Sequence, residues 1–211
     1  MKLTIVYDNT AKVDLESDWG FSAVVEVGDF PKTLFDTGAK GRILTSNLKR
    51  LEIDPKSIHE VFISHDHADH TGGLSAFLEE NNQVKVWVPP SFQGVKKAEE
   101  VVTVEGPTEL HERIYSTGEL EGIEQSLCVE TEKGVVVIAG CSHPKMENIL
   151  QTAAQFGEVH GIIGGLHANR PQSLEGLDLI CPTHCTQHKA DIKRLYPEQY
   201  VKGGVGRIIE I

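Results

Sequence analysis

Residues 64–73 read S-H-D-H-A-D-H-T-G-G, so His65, Asp66, His67, Asp69 and His70 fall within six positions. Neutral imidazole and carboxylate are the ligand types that suit zinc, iron or manganese. A solvated polar loop accounts for one histidine. It does not account for H-x-H-x-D-H placed directly after the apolar run Val61-Phe62-Ile63 and before a helix. If strand alternation continues past that run, His65 and His67 face the same way and can share one cation. Asp69 and His70 follow where the chain turns, with Gly72 and Gly73 allowing a tight fold, and they suit a second cation. Two cations about 3.5–4 Å apart can share a hydroxide, lower the pKa of that water from 15.7 toward about 7, and polarise a phosphoryl or carbonyl oxygen. The chemistry in view is metal-assisted hydrolysis.

The elements that must position these side chains are short. Leu3–Tyr7, Ser22–Val27 and Thr33–Phe35 read as strands, the last two forming a hairpin around residues 28–31. The apolar spacing of Ile43, Leu44, Leu48 and Leu51 predicts a helix over 43–51, ended by Asp54-Pro55. A buried strand, His59–Ile63, delivers the cluster, followed by a helix over 73–80 and a strand over 84–88. The stretch 91–125 gives only short strands near 101–104 and 113–115. Residues 126–130 and 134–139 make a hairpin around a charged turn. A helix over 146–156, strands over 159–163 and 178–180, a helix over 190–196 and a strand over 207–211 complete the chain. Hairpins and helices followed by more hairpins and helices predict an α/β fold: an αββα sandwich of two mixed sheets with outer helices, as a single domain over 1–211.

With 211 residues the chain can bury a sizeable core. Its net charge of −11 argues against nucleic acid or anionic membranes as bulk partners, though a bound metal can reverse the charge locally. The first ten residues lack an apolar leader, and no apolar run reaches the roughly 18–20 residues of a membrane span. The expectation is a cytoplasmic protein whose four cysteines (Cys128, Cys141, Cys181, Cys185) are thiols or ligands and not disulfides.

The first motif, with L-F-D-T-G at 34–38, A-G-C-S-H at 139–143 and P-T-H-C at 182–185, resembles the metallo-β-lactamase superfamily over essentially the whole chain. W-G-F-S (19–22), E-Q-S-L (124–127), G-C-S-H-P (140–144), G-G-L-H (164–167) and P-T-H-C-T (182–186) look like one subgroup. Its archaeal members are often labelled dihydropterin-ribofuranosylaminobenzene-phosphate synthases. The resemblance implies a divalent-metal cofactor, zinc before iron or manganese, with two ions favoured over one. It implies a first metal held by His65, His67 and His143, and a second by Asp69, His70 and His184. One departure stands out: Cys141 occupies the place of the usual bridging aspartate, where a thiolate could ligate. The third histidine that normally precedes that strand has no counterpart in 117–125, and His143 is the candidate to replace it.

Asp69, Asp66 and His167 are the catalytic candidates. Asp66 could act as a base or hold a ligand backbone, and His167 could contact substrate or be structural. Asp36 is expected to orient a ligand. His59, His111, His160 and His188 read as structural or surface residues. Cys181 and Cys185 read as packing residues, against an iron–sulfur alternative using all four cysteines. Gly203-Gly204-Val205-Gly206 reads as a tight loop. The function expected is hydrolysis of a small phosphoester or other ester. The alternatives are a transferase joining an arylamine to an activated pterin, and a non-catalytic metal or redox protein. The expected partner is a small molecule, phosphorylated in the favoured case.

Overall fold

The computed structural model describes all 211 residues, and it places the strands in two sheets. The first sheet holds β1 (Lys2–Tyr7), β2 (Ser22–Glu26), β3 (Thr33–Phe35), β4 (Glu60–Phe62), β5 (Lys85–Val88), β6 (Glu100–Thr103) and β13 (Ile208–Glu210), in the order β13-β1-β2-β3-β4-β5-β6. The second holds β7 (Thr108–His111), β8 (Ile114–Ser116), β9 (Leu127–Thr131), β10 (Gly134–Ala139), β11 (Val159–Gly165) and β12 (Leu179–Thr183), in the order β12-β11-β10-β9-β8-β7. The β2–β3 and β9–β10 hairpins are antiparallel as expected. The β3–β4–β5–β6 and β10–β11–β12 runs are parallel.

Three apolar layers follow from the period of two along these strands. Leu3, Ile5, Ala23, Val25, Phe35 and Phe62 of the first sheet meet Leu127, Val129, Val136, Ile138 and Ile163 of the second. The residues between them point outward. Val6, Val24, Leu34, Val61 and Val86 pack under α1 (Gly41–Arg50) and α3 (Leu74–Glu80). Val135, Val137, Ala139 and Ile162 pack under α4 (Met146–Ala153), with Ile192 of α5 (Lys189–Leu195) in the same layer. Both faces of the central strands are covered, which is why they read as unbroken apolar runs in the sequence. Burying a side chain such as Phe62, which stacks on Phe35 at 5.5 Å between centroids, contributes about 1.5–3 kcal/mol. This is the αββα sandwich.

Three local departures matter. β7 forms where the sequence showed no strand. Only Leu110 in Thr108–His111 is apolar, and the segment is held at the sheet edge by antiparallel pairing with β8. β11 and β12 run on to Gly165 and Thr183, beyond the expected 163 and 180, and so carry the chain right up to His184. β4 stops at Phe62, so His65 and His67 lie beyond the strand, and strand alternation is not what aligns them. A four-residue helix, α2 (Ala68–Thr71), follows at once, starting after His67. Its exit is fixed by close backbone approaches. A Cβ on Gly72 would run into the Ala39 carbonyl oxygen, and one on Gly73 into that of Thr37.

Candidate metal centre

The candidate ligands sit on the loops leaving the carboxyl ends of β4, β10 and β12, with α2 between them. Parallel strands end together, so residues far apart in the chain meet at one edge. Ligand atoms of His65, His67 and His143 lie within 4.8 Å of one another, and so do those of Asp69, His70 and His184. Cys141 groups with His65 and His70 at the same spacing, with its Sγ 3.2 Å from His70 Nε2, and it therefore stands between the two triads. It also groups with His184 and Cys185.

The hydrogen bonds behind the rings decide what the rings present. His143 Nδ1 is 2.9 Å from Glu124 Oε2, His70 Nδ1 is 2.7 Å from Asp36 Oδ2, and His184 Nδ1 is 3.0 Å from Asn9 Oδ1. All three partners act as acceptors, Asp36 in its ionised form, so each Nδ1 then carries the proton. His65 Nδ1 lies 2.8 Å from Ser64 Oγ, whose own proton goes to Asp36 Oδ2 at 2.7 Å. The hydroxyl therefore accepts from His65. Four imidazoles are thus fixed in one tautomer, each turning an unprotonated Nε2 to the other side. Burial pushes His65 and His70 down to about 3, which keeps them neutral and able to ligate at pH 7.

His184 Nε2 gives the test of fit. It is buried and has no hydrogen-bond partner. Asp69 Oδ2 lies 3.1 Å from it but outside hydrogen-bond geometry, and the ring proton is already committed at Nδ1. A lone pair facing a carboxylate oxygen is unfavourable unless a cation sits between them. The donor set of imidazole, carboxylate and thiol fits a divalent transition metal. His67 completes the first triad with Nδ1, 3.1 Å from His65 Nε2.

Backbone strain gathers here as well. Asp36, Ser142, His167 and His184 all adopt left-handed φ between 41° and 56°. Such conformations cost about 1–3 kcal/mol each and persist where the surroundings hold them.

All seven sequence-derived ligand candidates meet in this site: His65, His67, Asp69, His70, Cys141, His143 and His184. Asp36 stands behind two of these candidates, His70 directly and His65 through Ser64. The structure does not bring Asp66 into the group. It is exposed and its side chain bonds to nothing. His167 is half-buried, its ring centroid is 5.1 Å from that of His143, and its ring nitrogens make no hydrogen bond. His111, His160 and His188 face Glu60, Asp178 and Asp191, and His59 is exposed. Cys128 packs in the outer layer of the second sheet and Cys181 between the sheets, so a four-cysteine cluster is not assembled.

Sequence reasoning missed Glu124, Asn9 and Cys185. Glu124 is fully buried. Its carboxylate accepts the backbone N–H groups of Cys141, Ser142 and His143 at 2.9–3.0 Å, besides the His143 ring. Burial opposes its charge, yet His143 and these amides hold it well below the usual carboxylate range. The E-Q-S-L motif contained it, but a glutamate in an irregular stretch carries no spacing signal. Trp19, largely exposed at 57 %, sets its ring edge-on to His184 at 4.8 Å at the mouth of the site.

The sandwich, the loops at its carboxyl edge and the two facing triads, one of three histidines and one of two histidines and an aspartate, define a class. A family model described as "Metallo-beta-lactamase superfamily" matches residues 19–184, and the chain belongs to that superfamily. Within it, the chain is 26 % identical to the 7,8-dihydropterin-6-methyl-4-(β-D-ribofuranosyl)-aminobenzene-5′-phosphate synthase of Methanocaldococcus jannaschii. That alignment covers 92 % of this chain and 90 % of the relative. It is 28 % identical to an uncharacterised protein of the same organism, covering 99 % and 100 %. Among solved structures it is similar to a metal-dependent hydrolase of the β-lactamase superfamily, with a TM-score of 0.81 and 25 % identity, covering 100 % and 99 %. No helix is long and apolar enough to cross a membrane.

Proposed function

We propose that this chain is a metal-dependent hydrolase of small esters, with phosphoesters favoured and zinc the favoured metal. The observation that supports it is the set of four imidazoles whose Nδ1 protons all point outward, so that their lone pairs converge beside a carboxylate and a thiol. Divalent cations held there would lower the pKa of a water and polarise the substrate's phosphoryl or carbonyl oxygen.

The chain's own residues supply the rest. His65, His67 and His143 form one seat, and Asp69, His70 and His184 the other, with Cys141 reaching both. Asp69, half-buried, accepts a hydrogen bond from the attacking water and aims it. His167 has free ring nitrogens beside His143 and meets the substrate oxygen or returns a proton to the leaving group. Asp66, being exposed, can serve only at the rim.

His67→Ala removes a ligand from an exposed position and should abolish turnover, a drop of at least about 10³-fold, while the circular dichroism spectrum stays native. Panels of phosphodiesters and carboxyl esters with zinc, manganese or iron test the class. No turnover with any metal would overturn it. The identity to the synthase supports a second reading, in which the chain joins an arylamine to an activated pterin. Incubation with a pterin diphosphate and an arylamine separates the two: a coupled product with released diphosphate supports the synthase, and simple hydrolysis the first reading.

A further inference from the structure

The glycine loop at 203–206 takes no part in the metal centre, yet it lines a cavity of about 220 Å³ together with Thr10, Lys12, Lys202 and Arg207. The loop is tight, as the sequence predicts. Val205 forms a parallel bridge to Ala11, with Val205 N–H donating to Thr10 O at 2.8 Å and Lys12 N–H to Val205 O at 3.1 Å. Three features single the cavity out. The side chains of Lys12, Lys202 and Arg207 make no ion pair and no hydrogen bond, on a chain whose net charge is −11. The backbone N–H groups of Gly203 and Gly204 donate to nothing. A Cβ at Gly204 would come within 3.0 Å of Thr10 Oγ1, so glycine keeps the floor open. Successive free amides with cations around them make a concavity for an oxyanion. The volume is below the roughly 300–1,000 Å³ of a whole-ligand pocket and suits one charged group of a larger molecule.

Its position ties it to the metal centre. Thr10 follows Asn9, the acceptor for the His184 ring. Gly203 lies against Thr183, the residue before His184, where an added Cβ would stand 2.7 Å from Thr183 Cγ2. Asp8, buried on that side, spends its Oδ1 on the amides of His184 and Asn9, while its Oδ2, 3.5 Å from where a Gly203 Cβ would stand, sets one carboxylate oxygen against the three cations.

We propose that this cavity is an oxyanion subsite that holds a phosphate group of the substrate while a different bond is cut at the metal centre; the assignment to substrate rests on the hydrolase reading above. The test uses the metal-loaded full chain and the double variant Lys202→Glu, Arg207→Glu, both exposed positions. Calorimetric titration with inorganic phosphate should show a salt-sensitive site that the variant weakens by about tenfold or more. A nitrophenyl ester bearing a distal phosphate should lose about tenfold in kcat/KM, mainly through KM, while its unphosphorylated counterpart stays within about twofold. Equal phosphate binding by wild type and variant would overturn the subsite. A variant-sensitive phosphate site with equal effects on both esters would overturn its assignment to the substrate. If the wild type cleaves neither ester but its phosphate site is still lost in the variant, the hydrolase reading fails and the oxyanion cavity stands.

Discussion

Two buried carboxylates back the candidate metal centre from opposite sheets, and they are held in opposite ways. Asp36, after β3, accepts one backbone amide (Ser64 N–H, 2.8 Å), one hydroxyl and one imidazole. Burial pushes it up to about 7. Glu124, before β9, is just as deeply buried but accepts three backbone amides and an imidazole, and it is held low. The His143 imidazole does most to separate them, with the field of His65 and then the fixed backbone amides adding to it, since each stabilises the ionised form of Glu124. Asp36 works through side chains, fixing His70 directly and His65 through Ser64. Glu124 works through the main chain, pinning the turn that carries Cys141 and His143. One carboxylate tunes ligands; the other builds the loop.

The comparison predicts a ranking. Glu124→Ala strands three buried amides and a ring N–H, and should cost about 3–5 kcal/mol, read from the urea midpoint. Asp36→Asn keeps an oxygen for the Ser64 amide. It should cost less stability but weaken metal binding by about 10–100-fold in chelator competition. If Asp36→Asn proves the more destabilising of the two, the division of labour is wrong. The smallest effect is on pH dependence in chelator. The folded state holds the Asp36 proton up to about 7, while the unfolded chain releases it near the ordinary 3.8. Its stabilising contribution is therefore complete below that value and is lost as pH climbs toward 7, at a slope of at most about 1.4 kcal/mol per unit. Glu124 has the opposite sign: its contribution is present at neutral pH and lost only as pH falls below the ordinary carboxylate range. Asp36→Asn should flatten the neutral-side slope and leave the acid side alone; an unchanged slope on the neutral side would assign it to another group.

Much of this was legible in the residues themselves. The β2–β3 and β9–β10 hairpins and the helix under Ile43, Leu44 and Leu48 follow from apolar period and turn residues, which are local signals. The cluster at 65–70 was legible because its ligands are adjacent in sequence. β7 was not, because an exposed edge strand is defined by pairing and needs little apolar content. Glu124 and Asn9 were not, because their roles depend on which turn lies beside them after folding. The alignment of His65 with His67 was expected for the wrong reason: the loop and the start of α2 set it, not a continuing strand.

The backbone contacts at Gly72 and Gly73 bear on how the candidate centre would take up cations. Main chain packed against main chain leaves the His65–His70 segment little room to rearrange, so the entropy of ordering these ligands is spent during folding and not at metal uptake. Cations should then enter and leave a frame that is already built, and a chelator should empty the protein without unravelling it.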